Sequence, residues 1–125
     1  NINPQKVKIL FVEDEDSVRA FGFRALKRKG FEVTPCNCAE NALDLLNKGE
    51  QFNLMITDMV MPGMNGADLA KKAKQMLPDI KIILASGYSE EIARRKLDGS
   101  EEFKFIAKPY SLGDLTKKVF ELLND

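Results

Sequence analysis

The sequence predicts an α/β fold: an open, doubly wound sheet of five parallel strands with helices between them. Two observations predict it. Five short apolar runs alternate with amphipathic stretches along the chain. The runs are nearly continuous in Val, Ile, Leu and Phe, as strands buried on both faces are. Such alternation implies right-handed crossovers, which bring every strand's carboxyl end to one edge of the sheet.

The first predicted strand is 7–12 (VKILFV). Glu13-Asp14-Glu15-Asp16 follows at once. Asp14 or Asp16 is expected to cap the next helix, which runs to about Lys29, because an Asx oxygen satisfies the free N–H groups of a first turn. Acids also suit a helix N-terminus. Val18, Phe21, Gly22, Ala25 and Leu26 recur at helical spacing and give this helix an apolar face. Gly30 stops it. The second strand is 31–36, and Pro35 cannot donate to a ladder, which marks an edge strand. A short helix, 39–47, carries Ala42, Leu43, Leu45 and Leu46, and Gly49 ends it.

The third strand, 52–57, delivers Asp58. A loop rich in Pro and Gly leads to a helix over 66–76, with Leu69, Ala73 and Leu77 inward and Lys71, Lys72 and Lys74 as a solvated face. Pro78 ends that helix. The fourth strand is 80–85, with Ser86-Gly87 at its carboxyl end. A fourth helix begins at Ser89 or Glu90 and runs to about Leu97, with Arg94, Arg95 and Lys96 on its surface. Asp98-Gly99-Ser100 is a loop. The fifth strand, 103–107, leads into Lys108-Pro109. Ser111 caps the last helix, whose stripe is Leu112, Leu115, Val119, Leu122 and Leu123.

The 125 residues predict one domain, spanning 7–125. Residues 1–6 are polar, contain Pro4, and read as a linker or frayed end. The chain opens on Asn rather than Met, as a piece of a longer protein would. Nineteen basic and 19 acidic residues give zero net charge, so nothing electrostatic points to nucleic acid or an anionic membrane. No apolar run nears membrane-spanning length and no signal-peptide pattern is present, so a cytoplasmic location is expected, with any membrane anchor left to a parent chain. Cys36 and Cys38 are expected to be reduced thiols at a strand end, since C-x-C without further ligands makes no zinc site. The absence of histidine removes the usual general base and any phosphohistidine of the chain's own.

Strand one brings Glu13 and Asp14 to the carboxyl edge, strand three Asp58, strand four Ser86 and strand five Lys108. These groups meet if the four strands are neighbours. Two like charges near 4 Å cost about 4 kcal/mol at an effective dielectric of about 20. A divalent cation removes that cost, and an all-oxygen ligand set favours Mg²⁺, or Mn²⁺, over zinc. Such a site holds phosphate oxygens, with Lys108 as a second positive charge and Ser86 as a donor. An aspartate carboxylate can itself attack phosphorus to give an acyl phosphate. The bland alternative is that the acidic run only caps and solvates a helix.

In order along the chain, the motifs are the acidic pair after strand one, D-x-x-M-P-x-M-x-G at Asp58 to Gly66, S-G at Ser86-Gly87 and K-P at Lys108-Pro109. From strand one to Leu123 the chain resembles a receiver domain of a two-component response regulator, of the chemotaxis-regulator class. The resemblance implies a flavodoxin-like (βα)5 sheet with strand order 2-1-3-4-5. It implies that Asp58 accepts a phosphoryl group from a phosphohistidine on a histidine kinase or histidine phosphotransferase. It assigns Mg²⁺ to Glu13, Asp14, Asp58 and the backbone carbonyl of Val60, and the phosphoryl oxygens to Ser86 and Lys108. It also implies a cis Lys108–Pro109 bond, a switch made of Ser86 and Phe105, and a monomer or weak phosphorylation-dependent dimer. Phe105 is expected to turn inward as Ser86 moves. The partner's histidine must reach Asp58 past Val18, Phe21, Pro109 and Tyr110. Val60 and Tyr88 flank Asp58 and offer no base to an attacking water. The stretches VEDEDSVRAF, LASGYSEEIARRKL and FIAKPYSLGDLTKKV resemble more specifically the C-terminal receiver of hybrid histidine kinases of the alphaproteobacterial cell-cycle type.

Two other readings compete. Asp14-Glu15-Asp16-Ser17-Val18 fits the D-x-D-x-T/V pattern of haloacid-dehalogenase-type phosphatases, with Asp14 as nucleophile and Asp16 as acid/base. The chain is short for that fold, lacks a later acidic pair, and would leave Asp58 without a role. A receiver used only for binding is the other, against which stands the full set of chemical residues.

Overall fold

A computed structural model describes residues 3–97 and 103–124. The predicted loop 98–100 and residues 1, 2 and 125 lie outside the described residues. The strands are β1 (Lys8–Val12), β2 (Glu32–Cys36), β3 (Leu54–Asp58), β4 (Lys81–Ser86) and β5 (Lys104–Ala107). They form one sheet in the order β2-β1-β3-β4-β5, every adjacent pair parallel. This is the expected order, and it puts Pro35 on an edge strand. The helices are α1 (Asp16–Arg28), α2 (Ala39–Asn47), α3 (Gly66–Met76), α4 (Glu90–Arg95) and α5 (Leu112–Leu123).

Alternation along the central strands divides the core. Ile9, Phe11, Leu54, Ile56, Ile83 and Ala85 pack with Leu26 of α1 and Leu115, Val119 and Leu122 of α5. Leu10, Val12, Met55, Ile82 and Leu84 pack with residues of α2, α3 and α4 on the other face. Both faces of β1, β3 and β4 are therefore buried, which explains their unbroken apolar runs. Gly22 lets α1 settle on the ring of Phe11; a Cβ there would lie 2.6 Å from a ring carbon.

All five strands start one or two residues later than their apolar runs. Phe31, Phe52, Ile80 and Phe103 are buried but precede the ladders. Hydrophobicity reports burial, and these residues join the core layers between sheet and helices without belonging to a ladder. Within the expected linker, Pro4–Lys6 form a 3-10 turn capped by the Asn3 side chain.

Local expectations also needed correction. Neither Asp14 nor Asp16 caps α1. Glu15 occupies the cap position without a side-chain bond, because Asp16 is already helical and pairs with Arg19 at 2.6 Å. Val18 is half-buried and Phe21 exposed, so the inner face of α1 is Gly22, Ala25 and Leu26. Lys74 is no plain surface lysine: its ammonium donates to the Ile80 carbonyl at 2.6 Å and ties α3 to the start of β4. Helix α4 stops at Arg95. Arg94 folds back to donate to the Phe103 carbonyl at 3.1 Å. Leu112 is exposed, leaving Leu115, Val119 and Leu122 as the buried stripe of α5. Ser111 caps α5 as expected, in a reciprocal capping box with Asp114.

Candidate functional site at the carboxyl edge of the sheet

The register brings the predicted residues together. Asp58 ends β3 beside Ala85, and Ser86 ends β4 beside Ala107, one residue before Lys108. The Lys108 amide donates to the Ser86 carbonyl at 2.7 Å and extends the β4–β5 pairing to the site itself. The Lys108–Pro109 bond is cis, as expected.

Lys108 sits between two acids. Its ammonium donates to Asp58 Oδ2 at 3.0 Å and to Glu13 Oε1 at 3.1 Å. Side-chain exposures are 24% for Lys108, 12% for Asp58 and 2% for Glu13, so this triad is largely out of water. Burial works against the Lys108 charge, but the hydrogen bonds to Asp58 and Glu13 outweigh it and hold the amine's pKa above its ordinary value. Burial pushes the Glu13 carboxyl up, against the opposing pull of the Glu15 amide and of Lys108. The Glu15 amide donates to Glu13 Oε2 at 3.0 Å, and Arg19 donates to the Glu13 carbonyl at 2.9 Å. Glu13 is thereby fixed at the β1 end while Asp14 stays exposed beside it.

One carboxylate oxygen from each of Glu13, Asp14 and Asp58 lies within 4.8 Å of the others. Lys108 supplies one positive charge against these three acids. The donor set is all oxygen, open on the Asp14 side, and suits a hard divalent cation.

The loop after β3 is tied at both ends. The Met59 amide donates to the Ala85 carbonyl at 2.8 Å, and the Gly66 amide donates to the Met59 carbonyl at 2.9 Å. Buried Met61 anchors the loop's interior. The Val60 amide reaches Asp58 Oδ1 at 3.4 Å, while the Val60 side chain is exposed. Asn65 caps α3 through the Asp68 amide. Gly66 is where helix and strand backbones meet: a Cβ would stand 2.8 Å from the Asp58 carbonyl carbon and closer still to its oxygen.

Ser86 is buried, and its hydroxyl oxygen accepts from the Tyr88 amide at 3.0 Å. Tyr88 is exposed, with the Lys96 ammonium 4.9 Å from its ring centre. Phe105 differs from the expected switch geometry. It already lies inside, 3% exposed, with the Arg94 guanidinium 4.8 Å from its ring centre. Arg94 also pairs with Glu90 at 3.1 Å, so a cation–π contact and a helix ion pair together close over the ring.

Val18, Phe21, Pro109 and Tyr110 line one groove of about 510 Å³, joined by Glu15, Ser17 and Lys108. Lys108 thus reaches both the acidic site and this groove. Burial pushes the Tyr110 phenol up to about 12, helped by the charge of Glu13. Glu15 and Ser17 are not singled out by the sequence; their place at the cap and in the first turn of α1, beside Val18, is the available signal.

The phosphatase alternative does not assemble. The Asp16 carboxylate is bound to Arg19 and almost fully exposed, and it is Glu13 and Asp58 that cluster with Asp14.

The family model for the response regulator receiver domain matches residues 9–120. The chain belongs to that family. It is 39% identical over 116 residues to the sensor kinase CckA of Brucella abortus (strain 2308), covering 92% of this chain but only 12% of that protein. It is 34% identical to the response regulator receiver protein CpdR of the same organism, covering 93% of this chain and 96% of that one. Among solved structures it is similar to the receiver domain from the hybrid histidine kinase CckA, with a TM-score of 0.78 at 33% identity over 93% of this chain and 98% of the other. Receivers act in two-component signalling and phosphorelay, where they meet histidine kinases or phosphotransferases. No helix among the described residues is long and apolar enough to cross a membrane.

Proposed function

We propose that Asp58 is the phosphoacceptor of this receiver. The observation that carries the reading is the placing of one carboxylate at the end of the central strand, held by Lys108 and faced by Glu13 and Asp14. A carboxylate oxygen of Asp58 attacks the phosphorus of a partner's phosphohistidine. The P–N bond breaks, its electron pair stays on the imidazole nitrogen, and an acyl phosphate forms. Glu13, Asp14, Asp58 and the Val60 backbone carbonyl would hold Mg²⁺, with Mn²⁺ as a substitute. The bound cation would neutralise charge on the transferring group and its acceptor.

Lys108 orients Asp58 before transfer and bonds a phosphoryl oxygen afterwards. Ser86 turns its hydroxyl from the Tyr88 amide to the phosphoryl group. Because Phe105 is already inside, the switch consists of fixing it there rather than moving it in. Two charge-assisted hydrogen bonds supply about 3–6 kcal/mol. Moving a population from about 1:99 to 99:1 takes about 5.5 kcal/mol, which only the upper end of that supply reaches, so the switch need not be complete. Val60 and Tyr88 bring no base to the site, which supports a long-lived phosphoryl group.

The groove of Val18, Phe21, Pro109 and Tyr110 would receive the histidine-bearing partner, a kinase's histidine domain or a histidine phosphotransferase. Phe21 is 41% exposed at its rim, where its ring is available as an aromatic anchor. The similarity to the CckA receiver supports exchange within a hybrid-kinase relay; on this reading the domain works in the cytoplasm as a monomer or weak phosphorylation-dependent dimer. The test is transfer from a phosphohistidine-bearing phosphotransferase. Phe21→Glu is expected to slow it at least about 10-fold, the order expected for losing one aromatic anchor, and to leave phosphorylation by a small donor unchanged. Equal slowing with both donors would remove Phe21 from the docking surface.

A further inference from the structure

The loop that carries the backbone of Val60 is held from outside by a residue of α2. Glu40 Oε2 accepts a hydrogen bond from the Met64 amide at 3.0 Å, across 24 positions of sequence. The same oxygen lies 2.8 Å from where a Cβ on Gly63 would stand, and Gly63 has φ +78°. The loop thus turns left-handed at a glycine so that its backbone can close on this carboxylate.

Glu40 has a rigid mount. It follows the first residue of α2, whose Ala39, Ala42 and Leu46 are buried against the sheet. The helix start is fixed twice more: Cys38 Sγ accepts from the Asn41 amide at 3.4 Å, and the Asn41 side chain donates to Asn37 at 2.9 Å. The bond from Met64 is the foremost cause holding the Glu40 carboxyl below its usual range. The loop's other ties, at Met59 and Gly66, fix its ends. Glu40 adds a tie between them at Met64, four residues beyond Val60.

We infer that Glu40 is a positioning residue for the phosphoacceptor site, gripping the 59–65 loop so that its backbone faces the acidic cluster. This rests on the reading of Asp58 and Val60 given above. Nothing of Glu40 itself reaches the cluster; it acts through Met64 and the loop.

The test is a calorimetric Mg²⁺ titration of the domain and of Glu40→Ala and Glu40→Gln, with hydrogen exchange of the Met64 amide read alongside. Glu40→Ala is expected to weaken Mg²⁺ about 10-fold, the lower end of what losing a group that orients a metal ligand costs. It should also lose protection at Met64 while unfolding at the same temperature. Glu40→Gln keeps an acceptor oxygen and should stay within about 2-fold of the parent. Parent-like Mg²⁺ binding in Glu40→Ala would overturn the inference and leave the phosphoacceptor reading standing. Equal loss in both variants with Met64 still protected would also overturn it, since the charge and not the hydrogen bond would then matter. A parent domain that binds no Mg²⁺ would bring down both readings.

Discussion

Gly66→Ala is expected to destabilise the domain by about 3 kcal/mol or more, at the upper end of overpacking costs. Propensity alone predicts the reverse, since alanine is favoured over glycine in a helix by about 1 kcal/mol. Geometry decides the sign. The methyl group would stand 2.8 Å from the Asp58 carbonyl carbon and 3.1 Å from Met59 Cα. Both are backbone atoms at the end of β3, where Asp58 is in register with Ala85 of β4 and the Met59 amide is bonded to the Ala85 carbonyl, so they have no rotamer by which to yield. The first turn of α3 must move instead, breaking the bond from the Gly66 amide to the Met59 carbonyl. Urea denaturation measures the loss, and a Mg²⁺ titration in the same variant is expected to show weakened binding because the 59–65 loop shifts. A variant as stable as the parent would mean that strand and helix do not approach in this way.

The second large effect is expected from Lys108→Met in the absence of divalent cations. The substitution keeps the apolar stem and removes the ammonium that bridges Asp58 and Glu13 at 3.0 and 3.1 Å. Breaking a buried pair by removing one partner costs about 3–5 kcal/mol. The site opens to water on the Asp14 side, so about 2–3 kcal/mol is expected here, discounted from that range. Linkage gives a second signature. Burial already raises the folded-state pKa of Glu13, and removing Lys108 raises it further. The native state then binds that proton more tightly than the unfolded chain, so stability falls as pH rises through the folded pKa of Glu13 and returns as pH is lowered. Saturating Mg²⁺ is expected to restore most of the loss, by replacing one positive charge with another and by mass action. Urea melts with and without Mg²⁺ check both statements; a loss that neither acid nor Mg²⁺ relieves would show that Lys108 matters through packing.

The site was legible because each of its residues stands at the carboxyl end of a predicted strand. Parallel alternation alone placed Glu13, Asp58, Ser86 and Lys108 on one edge; strand order placed them side by side. The bounds of α2 and α3 could be read to the residue, because strong breakers and caps bracket both periodic runs. The strand starts could not, because Phe31, Phe52 and Phe103 are buried without pairing. The cap of α1 was misread because the acidic run offers four side chains, and the tertiary pull of Lys108 and Arg19 decides among them. Phe105 is expected from sequence to turn inward only as Ser86 moves; the contact that covers it inside comes from Arg94, eleven positions earlier, which no local pattern announces. Glu40 carried no signal at all: an acid near a helix start is ordinary, and its bond to Met64 exists only once α2 and the loop after β3 are packed side by side.

The central claim is that Asp58 takes a phosphoryl group. Intact mass after incubation with a small phosphodonor, with and without Mg²⁺, tests it most directly. The expected result is one added phosphoryl group that requires Mg²⁺ and is absent from Asp58→Asn under the same conditions. Labelling that persists in Asp58→Asn but is lost in Asp14→Asn would contradict it, as would a parent domain that gains no mass at all.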